Sequence, residues 1–406
     1  MTSPRRPVPW PRLEAATAHL PAPVAALDLP ALLANADELV ARAQGRPVRV
    51  ATKSVRSRRV LAEVLARPGF RGLMAFTLAE ALWLAEDHGN VLVGYPTADR
   101  EALGRLLADE DLARRVTLVV DDPAQIDLVD AVAPPHRRPE VRVCLDVDAS
   151  LRLPGLHVGV RRSPVHTVAQ ARAAAQSLTR RPGVRLVGLL AYEAQLAGVG
   201  DRLPPGAGPA TAARTLVLRR LQRASWDELR ERRSAVVAAV REVAGDLELV
   251  NGGGTGSLHL SGTDPALTEV AAGSGLFGPA LFDGYRAFRP LPALGVALDV
   301  VRRPTPGTVT LAGGGWPASG PPGPDRLPTL AWPPGLAYLG EEGAGEVQTP
   351  VTGPGASRLG VGDRVWVRHA KAGEVCERVD ALHVVDGDGR LVGAWPTYRG
   401  EGRAYL

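Results

Sequence analysis

The sequence contains only two lysines, Lys53 and Lys371, although lysine and arginine together number 48. Arginine stays protonated in proteins, whereas a desolvated lysine can lose its proton and attack a carbonyl carbon to form a Schiff base. Lys53 follows a short apolar and β-branched segment, residues 48–52, which predicts a strand that ends at the lysine. In α/β barrels, the carboxyl ends of the strands carry the chemistry. We therefore predict that Lys53 is catalytic rather than a surface lysine.

A glycine-rich segment, residues 251–257, follows a second apolar strand and reads Asn-Gly-Gly-Gly-Thr-Gly-Ser. Consecutive glycines let backbone N–H groups converge on an anion, which predicts a phosphate site; the alternative is a flexible turn. No Gly-Lys-Ser/Thr sequence follows, so a nucleoside triphosphate is not indicated. Residues 271–275, Ala-Ala-Gly-Ser-Gly, are placed to bind the same phosphate. A lysine and a phosphate site at strand ends indicate a phosphorylated aldehyde, pyridoxal phosphate.

Strand and helix patterns alternate from about residue 24 to residue 250, which predicts an α/β protein with a TIM-like (β/α)8 barrel. A doubly wound open sheet is the alternative, but no Gly-x-Gly-x-x-Gly follows the first strand. After Pro290, short β-branched runs separated by glycine and proline predict an all-β domain. We therefore predict a cofactor-binding barrel over residues 1–288 and a C-terminal β-domain over residues 289–406.

The predicted element bounds follow from apolar periodicity. The predicted strands before residue 251 are 24–29, 48–52, 72–77, 91–94, 116–120, 141–147, 184–191 and 247–250. The predicted helices include 30–43, 78–87, 98–107, 124–132, 164–179 and 210–243. The predicted strands of the β-domain are 296–301, 308–311, 346–349, 364–367 and 381–385.

The composition excludes several classes of protein. The 406 residues carry a formal net charge of +5 and 4% aromatic residues, with no basic run interleaved with aromatics, so nucleic-acid binding is not expected. No apolar stretch approaches the length of a membrane span, and residues 1–10 lack the apolar core of a secretory leader. Two cysteines, Cys144 and Cys376, provide neither a disulfide framework nor a CxxC motif. We expect a cytoplasmic protein.

Five motifs, in this order and spacing, resemble those of the alanine racemase-like fold-type III pyridoxal phosphate enzymes. They are Leu27-Asp28-Leu29, Ala51-Thr52-Lys53, residues 188–193, residues 252–255 and residues 269–274. Within this family the sequence is similar to the D-threonine aldolase and D-serine dehydratase branch, the amino acid deaminase/aldolase group. The C-terminal motifs of that branch correspond here to residues 341–343, 362–365 and 367–369. The resemblance extends over residues 20–395.

The resemblance implies roles for individual residues. Lys53 would hold the cofactor as an internal aldimine and act as a base at the substrate Cα. Tyr192 and Glu193 would lie beside the pyridine ring, and Arg161 is a match for an arginine that the family carries near this ring. The implied phosphate ligands are Gly253, Gly254, Thr255, Gly273 and Ser274. The resemblance also implies a homodimer.

The resemblance further implies a divalent metal near the substrate hydroxyl, held by a His-x-Cys or His-x-Asp pair. Here the pair reads His369-Ala370-Lys371, and an ammonium cannot bind a metal ion. His369 remains the candidate metal ligand, and Cys376 is either a second ligand or a small buried hydrophobe. Lys371 either replaces the charge of the metal, acts as a second general base as a racemase requires, or is a solvated loop lysine.

We therefore expect a pyridoxal phosphate-dependent lyase that acts on a small D- or β-hydroxy amino acid, with Lys53, His369 and Lys371 as the catalytic candidates. Cleavage of the Cα–Cβ bond gives aldolase chemistry, and loss of the β-hydroxyl gives dehydratase chemistry. Reprotonation of Cα on the other face gives a racemase, which is the first alternative. A non-catalytic pyridoxal phosphate-binding protein is the second. We expect the loop of residues 313–326 to lie near the active site.

Overall fold

A computed structural model of the chain describes residues 9–204 and 206–405. Residues 1–8 lie outside the described residues. They belong to the N-terminal segment from which we predicted that there is no secretory leader. The strands are β1 Val24–Asp28, β2 Val48–Ala51, β3 Phe70–Ala75, β4 Val91–Val93, β5 Val116–Val120, β6 Val141–Asp146, β7 Leu151–Leu153, β8 Leu156–Val158, β9 Val184–Ala191, β10 Leu249–Gly252, β11 Glu269–Ala272, β12 Leu294–Thr305, β13 Thr308–Ala312, β14 Thr329–Trp332, β15 Ala337–Tyr338, β16 Gln348–Thr352, β17 Arg364–Arg368, β18 Ala381–Val385 and β19 Leu391–Pro396.

Helices follow most of the early strands. They are α1 Trp10–Thr17, α2 Leu29–Arg42, α3 Arg58–Leu65, α4 Leu78–Leu84, α5 Arg100–Leu107, α6 Glu110–Arg115, α7 Pro123–Val132, α8 Val168–Thr179, α9 Ala194–Ala197, α10 Pro209–Ala244 and α11 Leu258–Ser261. No helix among the described residues has both the length and the apolar character that a membrane crossing needs.

Eight parallel strands form a closed barrel in the order β10, β11, β2, β3, β4, β5, β6 and β9. This confirms the predicted (β/α)8 barrel. Because all of the neighbouring strands run parallel, their carboxyl ends meet at one mouth. Buried side chains fill the interior below that mouth, contributed by Leu92, Val119, Cys144, Leu190 and Leu249. Side chains alternate between the inside and the outside of the barrel along a strand. The residue two positions after each of these five therefore also points inward, and it lies at the mouth.

The helix starts have local causes. Asp28 caps α2, since its carboxylate accepts a hydrogen bond from the Ala31 N–H at 2.9 Å, and Pro30 occupies the first turn. The helix predicted from residue 164 begins four residues later, at Val168. Thr167 and Gln170 form a capping box there, which fixes the first turn.

A second sheet of nine strands contains the C-terminal strands predicted for the β-domain. It also contains β1, which pairs antiparallel with β12 and parallel with β18. The N-terminal strand is therefore hydrogen-bonded to the C-terminal strands, not to the barrel. The division into domains at residues 288 and 289 remains a prediction. The short hairpin of β7 and β8 was not predicted.

Candidate active site

A cavity of about 500 Å³ opens at the carboxyl ends of the barrel strands. Lys53 lines it. So do the six other predicted cofactor ligands and the residue at the start of the first glycine segment, which together are Tyr192, Asn251, Gly253, Gly254, Thr255, Gly273 and Ser274. Lys53 therefore borders the same space as both glycine segments, which follow it by more than 190 positions in the sequence. Barrel closure brings them together, because β11 pairs with both β10 and β2.

Lys53 lies in a short 3-10 turn, Thr52–Ser54, directly after β2. The Thr52 hydroxyl anchors this turn by donating to the Met74 carbonyl at 3.0 Å. Arg56 Nε donates to the Lys53 carbonyl at 3.1 Å. A Cβ at Gly373 would lie 1.9 Å from the Lys53 carbonyl oxygen, so the loop after β17 packs directly on this turn and needs glycine there. The loop after β17 thus holds the backbone of the Lys53 turn, while the Lys53 side chain stays exposed.

The two glycine segments meet at Thr255. Its hydroxyl oxygen accepts hydrogen bonds from the Ser274 hydroxyl and the Gly275 N–H, both at 3.1 Å. The backbone N–H groups of Thr255 and Ser274 donate to no other described residue. A Cβ at Gly273 would lie 2.5 Å from the Ala51 carbonyl oxygen, so this segment also abuts the strand that leads to Lys53. Two free N–H groups and two hydroxyls at one end of the cavity suit an anion.

Glu193 supports this arrangement from behind the cavity. Its fully buried carboxylate accepts a hydrogen bond from the Gly253 N–H at 3.0 Å and pairs with Arg233 at 2.9 Å. The hydroxyls of Ser257 and Ser261 also donate to it. Glu193 is not among the residues that line the cavity. The placement of Glu193 beside a cofactor ring therefore does not match the structure, since consecutive residues after a strand face opposite ways and Tyr192 takes the inward position.

Asn251 and two carboxylates also line the cavity. Asn251 Nδ2 donates to Glu269 at 2.7 Å, and its buried Oδ1 has no donor among the described residues. Asp121 and Asp146 lie at the ends of the neighbouring strands β5 and β6 and line the cavity. Burial, reinforced by the charge of Asp121, raises the pKa of the Asp146 carboxyl to about 7. These carboxylates were missed, although Asp121 directly follows a predicted strand and Asp146 is next to last in another. Both positions are close to the mouth.

Tyr95 and Arg162 were also missed. Tyr95 lines the cavity two residues after β4, and its hydroxyl is hydrogen-bonded to Lys53 Nζ. The Arg162 guanidinium lies 5.7 Å from the centre of the Tyr95 ring and 5.8 Å from that of Tyr192. The cavity arginine is therefore Arg162, whereas the exposed Arg161 is not among the lining residues. Arginine is too abundant in this sequence for its position alone to distinguish the two.

The second lysine lies beside the mouth but does not line the cavity. Lys371 Nζ donates to the Ser319 hydroxyl at 2.7 Å, and the Ser319 N–H donates to Glu374 at 3.0 Å. The loop of residues 313–326 therefore contacts the segment that packs on the Lys53 turn, as expected. Burial lowers the pKa of Lys371, and the positive charge of Lys53 adds to this effect while Glu374 opposes it.

His369 and Cys376 are both buried, and neither lines the cavity. His369 packs edge-on against Phe277. Burial, with the nearby charge of Arg368, lowers the pKa of the His369 imidazole to about 3. Among residues 9–204 and 206–405, no group of three or more histidine, cysteine or acidic side chains could hold a metal ion. The donors present therefore do not fit the metal that the resemblance implied.

Comparisons with known proteins agree with this geometry. The sequence profile of the alanine racemase N-terminal domain matches residues 27–280. A D-threonine aldolase from Filomicrobium marinum is 20% identical with a TM-score of 0.77, covering 94% of this chain and 96% of that one. A D-threo-3-hydroxyaspartate dehydratase from Delftia sp. HT23 is 22% identical with a TM-score of 0.65, covering 93% and 97%.

An alanine racemase from Corynebacterium glutamicum is 17% identical with a TM-score of 0.55, covering 86% of this chain and 91% of that one. At these identities the structural matches show a shared fold. No curated protein matched the sequence. The profile match spans well over half of the 406 residues, and it includes Lys53 and both glycine segments. The chain therefore belongs to the alanine racemase N-terminal domain family, whose members are fold-type III pyridoxal phosphate enzymes.

Proposed function

We propose that this chain is a pyridoxal phosphate-dependent lyase that acts on a small D- or β-hydroxy amino acid, of the D-threonine aldolase or D-serine dehydratase type. The observation that supports this most directly is that Lys53 and both glycine segments border one cavity. The similar structures named as an aldolase and a dehydratase support the substrate class. The runner-up is a racemase in which Lys371 is the second base, because Lys371 belongs to the loop that packs on the Lys53 turn.

The residues present fit the cofactor. A phosphate needs hydrogen-bond donors that are not already used, and the N–H groups of Thr255 and Ser274 meet this condition. The buried Asn251 Oδ1 is an acceptor still without a donor. Lys53 would hold the aldehyde carbon, and Thr255, Gly273 and Ser274 would hold the phosphate. Gly253 and Gly254, the other two predicted ligands, donate their N–H groups to Glu193 and the Ser257 hydroxyl and would only border the phosphate. When bound, pyridoxal phosphate accepts the electron pair released at the substrate Cα.

The chain itself supplies position, charge and proton transfer. Lys53 is the base or acid at Cα, since its amine opens into the cavity. Arg162 is a cation that lines the same space and is available to a substrate carboxylate. The loop around Gly373 packs on the lysine turn and holds its backbone in position.

The test is product analysis with the purified protein and added cofactor. D-Threonine should yield glycine and acetaldehyde if the chain is an aldolase, and D-serine should yield pyruvate and ammonia if it is a dehydratase. Inversion of D- or L-alanine without cleavage would identify a racemase. A protein that develops a visible cofactor band but converts none of these substrates would be a non-catalytic cofactor-binding protein. No band at all would contradict the proposal.

We predict that Gly273→Ala weakens cofactor binding. The new Cβ would lie 2.5 Å from the Ala51 carbonyl oxygen, so the segment that carries Ser274 must move. Overpacking of this kind costs about 1–3 kcal/mol. If this cost applies to the cofactor-bound state, the affinity falls by roughly fivefold to 150-fold. Titration of cofactor absorbance or fluorescence measures this loss.

The matched control is Gly104→Ala in α5, where the added Cβ would have an ordinary contact of 3.9 Å with Val132. The control should bind the cofactor like the wild type. Equal affinity of both variants would show that the segment at Gly273 does not hold the phosphate.

We further propose that the ammonium of Lys371 takes the place of the metal charge near the substrate. Treatment with EDTA should leave the activity unchanged, and elemental analysis should find less than one divalent metal per chain. Lys371→Met should lower kcat/KM by roughly 100-fold, because it removes a positioned charge. Lys371→Arg should retain much of the activity, since it keeps the charge.

Arg358→Met provides the surface control, since Arg358 is an exposed cation of the same sheet region. This variant should be as active as the wild type. Loss of activity in EDTA that added metal restores would refute the role of Lys371 as a substitute for the metal.

Two further expectations belong to this proposal. A homodimer is expected from the resemblance and is tested by size-exclusion chromatography with light scattering. A cytoplasmic location is supported by the state of the cysteines, since Cys144 and Cys376 are both free and buried.

A further inference from the structure

Tyr95 has a contact that the proposed function does not use. Its phenolic oxygen is hydrogen-bonded to Lys53 Nζ, the atom that would carry the cofactor. The ring is half-buried at the cavity wall, two residues after β4. Arg162 lies over the same ring, with 5.7 Å between the guanidinium carbon and the ring centre. Two cations from different barrel loops therefore face one phenol.

The electrostatic surroundings of Tyr95 differ from those of the other tyrosines. The charged and titratable groups around it are Lys53 after β2, Arg162 after β8, Tyr192 after β9 and Lys371 from the second sheet. Burial opposes ionisation of the phenol. The charge and hydrogen bond of Lys53, followed by the charge of Arg162, outweigh burial and lower the pKa of Tyr95 below its usual value of 10.

Burial raises the pKa of each of the five other tyrosines. The pKa rises to about 12 in Tyr192 and Tyr405, and it is raised further in Tyr285, Tyr338 and Tyr398. None of these five is hydrogen-bonded to a lysine or arginine side chain within the described residues. The pKa of Tyr95 is therefore lowered, unlike that of the other tyrosines, because two cations lie beside its phenol.

The position of Tyr95 beside Lys53 matches the geometry of a β-hydroxy amino acid. Lys53 serves Cα, and the hydroxyl to be activated is on Cβ, one bond away. The hydroxyl oxygen is two bonds from Cα, so acid–base groups that serve these two atoms must lie within a few ångströms of each other, as hydrogen-bonded Lys53 and Tyr95 do. Among the residues that line the cavity, Tyr95 is the acid–base group in direct contact with Lys53.

We propose that Tyr95 is the catalytic base for the β-hydroxyl of the substrate, and that its hydrogen bond to Lys53 returns the proton. This inference rests on the proposed lyase function and narrows the substrate to β-hydroxy amino acids. The Tyr95 phenolate takes the hydroxyl proton, the Cα–Cβ bond breaks, and the carbonyl forms. The released electron pair passes to Cα, and the Lys53 ammonium protonates this atom.

The proton balance closes within the pair. Tyr95 has gained one proton and Lys53 has lost one, and transfer along their hydrogen bond restores the phenolate and the ammonium. D-Threonine is converted to glycine and acetaldehyde with no net uptake or release of protons. A purely structural tyrosine would take part in neither transfer, and Tyr95→Phe keeps the ring that such a role requires.

The first measurement is a spectrophotometric titration of tyrosinate in the protein without cofactor. One tyrosine should ionise at lower pH than the rest, and Tyr95→Phe should lack this step. Lys53→Met should move the step to higher pH, because it removes a positive charge beside the phenol. Tyr338→Phe, which removes a hydroxyl in the second sheet, should retain the step. A wild type without a separate early step would overturn the proposal.

The second measurement separates the two chemical steps in the protein loaded with cofactor. Tyr95→Phe should lower kcat for D-threonine cleavage by roughly 100-fold or more, the contribution of a positioned base. It should also remove the acidic limb of the pH–rate profile. Exchange of the glycine Cα hydrogen in D2O, followed by NMR, needs Lys53 but no hydroxyl base, and it should persist in Tyr95→Phe.

The outcomes discriminate between the two proposals. Equal loss of cleavage and glycine exchange, or loss of neither, would overturn the role of Tyr95 and leave the lyase proposal standing. A wild-type protein that takes up the cofactor but cleaves no β-hydroxy amino acid would refute the lyase itself, and the role of Tyr95 with it.

Discussion

Lys53→Ala protein is expected to show no visible absorbance band with pyridoxal phosphate and no turnover of any amino acid. The substitution removes the only amine among the described residues that line the cavity. Arginine cannot replace it, because guanidinium stays protonated and does not form the bond to the aldehyde. Since Lys53 both attaches the cofactor and moves a proton at Cα, we expect kcat/KM to fall by at least about 10⁴-fold. Absorbance spectra and a coupled product assay measure the two effects.

Two variants control for indirect effects. Lys53→Arg keeps a positive charge near Tyr95 but should be equally inactive, which separates the chemistry of the amine from its charge. Lys371→Arg changes the other lysine and should leave the absorbance band in place. Unchanged thermal unfolding of Lys53→Ala would show that the barrel is intact, since the side chain is exposed to the cavity. A persistent band in Lys53→Ala would assign the cofactor to another site.

The sequence was most informative where structure is local. The strand before Lys53 and the strand before the glycine segment carry their periodicity within a few residues, so both sites could be predicted at strand ends. The alternation of strands and helices along the chain then predicted the barrel. Closure of the barrel pairs β2 with β11 and so places Lys53 near Gly273. The partners of β1 could not be predicted in this way. Its pairing with β12 and β18 joins residues more than 260 positions apart, and periodicity holds no information about such partners.

Side-chain direction explains the remaining differences. After β9, the Tyr192 side chain points into the cavity and the Glu193 side chain points away from it. The alternation of side chains along a strand, applied to the sequence, would have predicted that only one of the two lies beside the cofactor. Arg161 and Arg162 are adjacent in a turn that follows an unpredicted hairpin, so their directions depend on its geometry. Tyr95 follows Gly94 after a three-residue strand, and its importance depends on a contact with Lys53 across the barrel mouth. Such contacts become visible only in three dimensions.

The buried carboxylate behind the glycine segment leads to the second large expected effect. Glu193 and Asp264 are fully buried and pair with the same guanidinium, Arg233, at 2.9 and 2.6 Å. Glu193→Gln removes one negative charge and leaves Arg233 paired only with Asp264. The guanidinium charge stays compensated by Asp264, but the Gln amide offers N–H groups where the carboxylate accepted hydrogen bonds from the Gly253 N–H and the Ser257 and Ser261 hydroxyls. Leaving such buried donors without an acceptor costs about 1–3 kcal/mol. We therefore expect the midpoint of urea-induced unfolding to fall markedly.

Glu193→Gln should also weaken the binding of the cofactor, since the Gly253 N–H loses a charged acceptor and the segment that leads to Thr255 is less firmly held. The matched control is Glu228→Gln on α10, which breaks a more exposed pair with Arg232. Such pairs contribute roughly 0–1 kcal/mol, so the control should unfold nearly like the wild type. If the two variants lose equal stability, the ion pair behind the glycine segment is not what holds it. Reduced stability with unchanged cofactor affinity would instead show that Glu193 supports the barrel without shaping the phosphate site.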